Sequence, residues 1–126
     1  MGKKHSPLFL RRVEHSRSII KECNIADFTS MVNDDESLHI IDVRETHEFE
    51  SGSMKGAIHL SKGVLERDIE KHPFDTSDRI VLYCGGGFRS AIAAQSLQDM
   101  GYENVFSLWG GWRSIVAEGL EITTKD

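Results

Sequence analysis

Cys84 heads the segment Cys84-Gly85-Gly86-Gly87-Phe88-Arg89-Ser90, where residue types and spacing together suggest a reaction. Three consecutive glycines open backbone conformations that are closed to other residues. A loop curling there turns successive N–H groups inward and builds a concavity for an anion. A helix beginning near Ser90 would add the positive end of its dipole, and Arg89 adds a full charge. A thiol at the mouth of such a cradle is expected to be stabilised as the thiolate, a nucleophile at neutral pH. The plainer reading, a small buried cysteine beside a glycine turn, accounts for the thiol but leaves the glycines, Arg89 and the helix start unexplained.

The same segment argues against other chemistries. A phosphate-binding P-loop needs GxxxxGK[ST], and both the lysine and the spacing are missing. A cysteine phosphatase sets its arginine after five intervening residues, which is position 90; here Arg89 comes one residue early. The shorter ring makes a narrower cradle, better matched to a sulfur atom than to a whole tetrahedral oxyanion. A papain-type pair needs a histidine beside Cys84, and the sequence does not place His39, His47 or His59 there. The six histidines show no HxxxH spacing, so neither a metal nor an organic cofactor is expected.

The elements that hold this loop come from a chain of 126 residues, room for one domain. Charged residues are 28% of the total and hydrophobic ones 39%, a globular balance. No apolar run is long enough to span a bilayer, so no membrane role is expected. Cys23 and Cys84 form no CxxC, which disfavours a disulfide scaffold or structural zinc and favours a reducing cytoplasm. Charge is unevenly placed: six Lys/Arg face two Glu over residues 1–22, and nine basic residues face eighteen acidic ones thereafter. An acidic body repels phosphate backbones, so nucleic acid is an unlikely partner, and an anionic substrate needs local positive potential. Met1 to Ser6 fits a myristoylation pattern, but six-residue patterns recur by chance and the chain is read as unmodified.

Short aliphatic runs at 38–41, 80–83 and 105–108 alternate with helix-like segments at 25–32, 46–50, 90–100 and 112–118. Runs without a polar face are expected as strands covered on both sides, giving an α/β sandwich with a central, mostly parallel sheet. Within the 90–100 helix, Ala93, Leu97 and Met100 fall on one face. In such a sheet Asp42 and Arg44, Cys84, and Trp109-Gly110-Gly111 all emerge at the carboxyl edge, where ligand clefts form. Residues 1–18 are expected as a basic tail or added helix, 19–120 as the domain, and 121–126 as a C-terminal tail.

From about Ile19 to Leu120 the chain resembles the rhodanese-like family, the single-domain sulfurtransferases in particular. The likeness rests on Ile41-Asp42-Val43-Arg44-Glu45 with Glu48-Phe49, on Gly56-Ala57-Ile58-His59, on Cys84 to Ala91, and on Leu108-Trp109-Gly110-Gly111-Trp112. It departs at Gly52-Ser53-Met54, where the family usually shows Gly-His-Ile, and at Ser61, where it usually shows proline. The resemblance implies a three-layer sandwich, a six-residue active loop from Cys84 to Arg89, and a Cys84 persulfide as sulfur carrier. It implies transfer from a small anionic donor such as thiosulfate to cyanide, a thiol or a protein acceptor. The competing reading is a binding or persulfide-sensing module with little turnover, and a small phosphatase ranks third. The loop amides from Gly85 to Ser90 would hold the persulfide. Two roles stay open for Arg89 and can coexist: drawing in donors, and an ion pair with a carboxylate such as Glu48. Asp42 and Arg44 are read as bracing the loop, Trp109 and Trp112 as packing and cleft wall, Phe88 as an apolar rim, and Cys23 as inert.

Overall fold

A computed structural model describes residues 5–124; Met1 to Lys4 of the myristoylation pattern lie outside them. In chain order the elements are α1 (Pro7–Arg17), β1 (Lys21–Cys23), α2 (Ile25–Asp34), β2 (His39–Asp42), α3 (Thr46–Ser51), β3 (Ser53–Met54) and β4 (Ile58–His59). There follow α4 (Leu65–Asp68), a 3-10 turn at Ile69–Lys71, β5 (Ile80–Tyr83), α5 (Phe88–Met100), β6 (Val105–Leu108), α6 (Gly111–Glu118) and β7 (Ile122–Thr123).

Five strands form one sheet in the order β1-β6-β5-β2-β4, with every neighbouring pair parallel. Successive side chains of a strand point to opposite faces, so the apolar run of β5 is divided between two cores. Ile80 and Leu82 pack with Ile41, Leu65, Ala93, Ala94 and Leu97, the side covered by α4 and α5. Val81 and Tyr83 pack with Phe28, Leu108 and Ile115, the side covered by α2 and α6. Each fully buried aliphatic side chain contributes about 1.5–3 kcal/mol. This is the helix–sheet–helix sandwich expected from continuous apolar runs. Cys84 continues the Ile80-Leu82 alternation, which aims its side chain toward α5.

The differences lie at element ends. Strand β2 is displaced by one residue, so Asp42 is its last member. Helix α5 starts two residues before Ser90, because Gly87, at φ +108°, reverses the chain directly into it. Gly101 ends α5 in the left-handed conformation, as its type and place suggest, yet Met100 is exposed while Ala93 and Leu97 are buried. Helix α3 begins at Thr46 after the cap residue Glu45, whose N–H donates to the Glu48 carboxylate at 3.0 Å. Helix α2 has a reciprocal capping box between Asn24 and Asp27. The segment expected as a C-terminal tail contains β7, which pairs antiparallel with β3 through Ser53–Thr123 and Met54–Ile122.

Helix α1 lies against α5. Val13 is buried with Ala91 and Ile92, and Phe9 and Phe88 pack beside them. Arg12 and Ser16 hydrogen-bond each other and Gln95 of α5. Farther along, the Arg17 guanidinium stacks 3.6 Å from the centroid of Trp109 while bound to Glu22. The apolar part of this contact is one small seam, edged by a few polar contacts, so α1 is expected to detach alone. Val13→Asp places a charge in that seam; hydrogen exchange should show lost protection in α1 with protection kept in β2 and β5.

Candidate active site

The orientation of the cysteine loop is set from outside it. Three N–H groups at the start of α6 have no carbonyl of their own helix to meet. They take the loop's carbonyls instead: Trp112 N–H donates to Cys84 O at 2.7 Å, Arg113 N–H to Gly85 O at 3.3 Å, and Gly110 N–H to Gly86 O at 3.0 Å. Peptide units are planar and trans, so a carbonyl turned toward α6 turns the next N–H the opposite way. Gly87 N–H accordingly donates to the Cys84 sulfur at 3.1 Å, and Ser90 N–H reaches it at 3.3 Å. Ser90 Oγ stands 3.5 Å from the sulfur and is itself 2.8 Å from Ser107 Oγ, so the buried hydroxyls satisfy each other.

Such close contact restricts the residues at the crossing. A Cβ on Gly111 would collide with the carbonyl oxygen of Cys84 and with the Gly85 backbone, and Gly111 also has φ +52°. A Cβ on Gly87 would stand 2.9 Å from the Trp109 ring. These two glycines therefore hold the loop's shape. The sequence reading expected every amide from Gly85 to Ser90 to serve the sulfur; two of them, Gly87 and Ser90, reach it in this state.

Cys84 is almost wholly buried, yet it lies on the wall of a cavity of about 490 Å³. Gly85, Gly86, Phe88, Arg89 and Glu48 share that wall, as does Trp112. Arg89 pairs bidentately with Glu48, at 2.8 and 3.1 Å, and so ties α5 to α3 across the mouth. The Arg89 hydrogen bonds hold the Glu48 carboxyl at about 2, well below its ordinary 4.5. Behind them, buried Arg44 grips Asp42 through Nε and Nη2 and donates to Gly52 O at 2.6 Å. Its guanidinium also lies 4.6 Å from the Trp112 ring centroid. Trp109 is outside this cavity and lines the adjoining one with Gly86, Phe88, Gly110, Arg113 and Ser114. Among the described residues no cluster of His, Cys, Asp or Glu could hold a metal ion.

The model of the rhodanese-like domain matches residues 24–118. The chain belongs to that family. This rhodanese-like chain is 35% identical over 109 residues to YrkF of Bacillus subtilis, a candidate sulfur carrier protein, covering 83% of this chain and 58% of YrkF. It is 30% identical over 124 residues to a candidate mitochondrial thiosulfate sulfurtransferase of Schizosaccharomyces pombe, covering 85% of this chain and 87% of that one. Among solved structures it is similar to a Rhodopseudomonas palustris protein of unknown function described as a possible tyrosine phosphatase. That likeness has a TM-score of 0.81 at 26% identity, covering 98% of this chain and 99% of the other.

In the rhodanese-like chain the sequence-predicted residues Cys84 to Ser90, Asp42, Arg44 and Glu48 converge at the carboxyl edge of the sheet, and Trp109 flanks them. Sequence reasoning missed His5, Phe9 and Arg113, which also line the cavity. His5 and Phe9 come from α1 and its approach, and the His5 ring lies 4.5 Å from the Phe88 ring, tilted by 52°. Nothing in the spacing of α1 points to Cys84, whereas Arg113 stands two residues beyond a glycine pair that was already singled out.

Two outcomes are expected. Gly111→Ala should cost about 2–5 kcal/mol in a denaturant titration, from left-handed backbone strain and the clash with Cys84. Glu48 titrates lower when folded than when unfolded, so its pairing stabilises the fold above about pH 4.5 and the benefit is lost as pH falls toward 2. Glu48→Gln should therefore flatten the loss of melting temperature across that acidic window.

Proposed function

We propose that this chain is a sulfurtransferase in which Cys84 carries a sulfane sulfur from a small anionic donor of the thiosulfate type to a thiol or cyanide. The observation that carries the reading is the pair of backbone donors, Gly87 and Ser90, aimed at a sulfur that borders an open cavity. Fixed donors placed before charge arrives stabilise it without reorganisation. The names of YrkF and the Schizosaccharomyces pombe relative support sulfur traffic in general.

The reaction proceeds in two displacements. The Cys84 thiolate attacks the outer sulfur of thiosulfate; a new S–S bond forms, the old one breaks, and its electron pair leaves with sulfite. The resulting Cys84 persulfide anion keeps the single negative charge that the thiolate brought. Gly86 N–H is turned away from α6 by the same carbonyl anchoring as Gly87 N–H, which supports a role for it toward the added sulfur. An acceptor thiolate or cyanide then attacks that outer sulfur, and the electron pair returns to Cys84. No oxidant or reductant is consumed.

Phosphatase chemistry fits less well, despite the description of the Rhodopseudomonas palustris neighbour. The ring from Cys84 to Arg89 is one residue short, and both ends of the Arg89 guanidinium are engaged by Glu48.

Mass spectrometry after thiosulfate treatment should show one sulfur atom gained on Cys84 and discharged by cyanide. Cys84→Ser should lose both the gain and the thiocyanate product. Turnover retained in that variant would refute the assignment, and a persulfide that forms but resists cyanide would mark a sensing module.

A further inference from the structure

Three guanidinium groups line the cavity above Cys84, those of Arg44, Arg89 and Arg113. Arg44 is engaged by Asp42 and Arg89 by Glu48, so neither offers uncompensated charge to a ligand. Arg113 has no carboxylate partner among the described residues. Its backbone is anchored to the loop, because its own N–H is bound to Gly85 O. The exposed side chain reaches back over the loop, with Nη1 3.8 Å from where a Cβ of Gly86 would stand. It borders both the cavity over Cys84 and the adjoining concavity. Phe9 and Phe88 also line the cavity over Cys84 and offer a charged group nothing.

We infer that Arg113 is the anion-recognising residue of this site, taking the charged end of the sulfur donor while the transferable sulfur faces Cys84. The inference rests on the sulfur-transfer reading and adds the specificity determinant for its donor. In the acidic body of this chain, a dianion such as thiosulfate needs an unpaired cation at the mouth, and Arg113 supplies it. The sulfonate carries its charge before and during the displacement, so the contact acts mainly on KM. A planar guanidinium binds two oxygens of one sulfonate at once, which a lysine ammonium cannot match in geometry.

The test uses two readouts on the wild-type chain, Arg113→Gln and Arg113→Lys. The first compares alkylation of Cys84 by iodoacetate and by iodoacetamide, two reagents of similar size that differ in charge. The second follows persulfide formation against thiosulfate concentration. Arg113→Gln should lower the iodoacetate-to-iodoacetamide rate ratio about fivefold to tenfold, from the loss of one close charge. It should raise the KM for thiosulfate about tenfold with a smaller change in kcat. Arg113→Lys should recover most of the alkylation ratio and part of the KM. An unchanged ratio in Arg113→Gln, or equal slowing of both alkylating reagents, overturns the assignment of Arg113. A ratio that falls as expected in a protein that accepts no sulfur from thiosulfate upholds the anion site and overturns the donor in the proposed function.

Discussion

The site depends on one exchange of hydrogen bonds between two neighbouring segments. Helix α6 begins with N–H groups that its own backbone cannot satisfy, and the cysteine loop contains carbonyls that belong to no strand or helix. Joining the two meets both needs. The chemical consequence follows from peptide planarity: with the Gly86 oxygen held on the α6 side, the Gly87 N–H faces the sulfur. Gly111 is where the two backbones come closest, and a side chain there would push them apart. The direction of the Gly87 amide is therefore a property of packing between segments more than 20 positions apart in the chain.

Charge is handled in layers around that backbone arrangement. The innermost pair, Asp42 with Arg44, is buried, and Arg44 also takes the carbonyl of Gly52. Removing one partner of such a pair leaves an uncompensated charge at a cost of about 3–5 kcal/mol, so the pair holds the β2–α3 connection in one conformation. Farther out, Glu48 and Arg89 are half-exposed and join α3 to α5. Both layers are internally neutral and act on shape. Arg89 makes the ion pair with Glu48, which leaves its other role toward donors open, and Asp42 and Arg44 are paired with each other beside the β2–α3 connection.

Much of this was legible because it is local. The run Ile80-Val81-Leu82-Tyr83 has no polar face, which suits a strand covered on both sides, and Gly85 to Gly87 announce a loop that must curl. Asp42, Cys84 and Trp109 could be brought to one edge because parallel strands place all their carboxyl ends together. What escaped is tertiary. The two-residue strands β3, β4 and β7 have no periodicity to read and exist because partners accept their hydrogen bonds. Docking of α1 depends on Val13 meeting Ala91 and Ile92, a contact across most of the chain. Trp109 lies beside the cavity, and not on its wall, with its ring stacked by Arg17 from the other end of the chain.

Cys23, at the end of β1, is buried, and desolvation, with Asp27 and Glu22 nearby, pushes its thiol up to about 12. Strand β6 separates β1 from β5, so Cys23 is two strand spacings, or roughly 9–10 Å, from the strand that leads to Cys84. That exceeds the span a disulfide can bridge without dismantling the sheet. A chain whose only other thiol is walled off has no internal resolving partner. Under the proposed reaction, a sulfur carried at position 84 would wait for a visitor, and its lifetime would be set by what can enter the cavity.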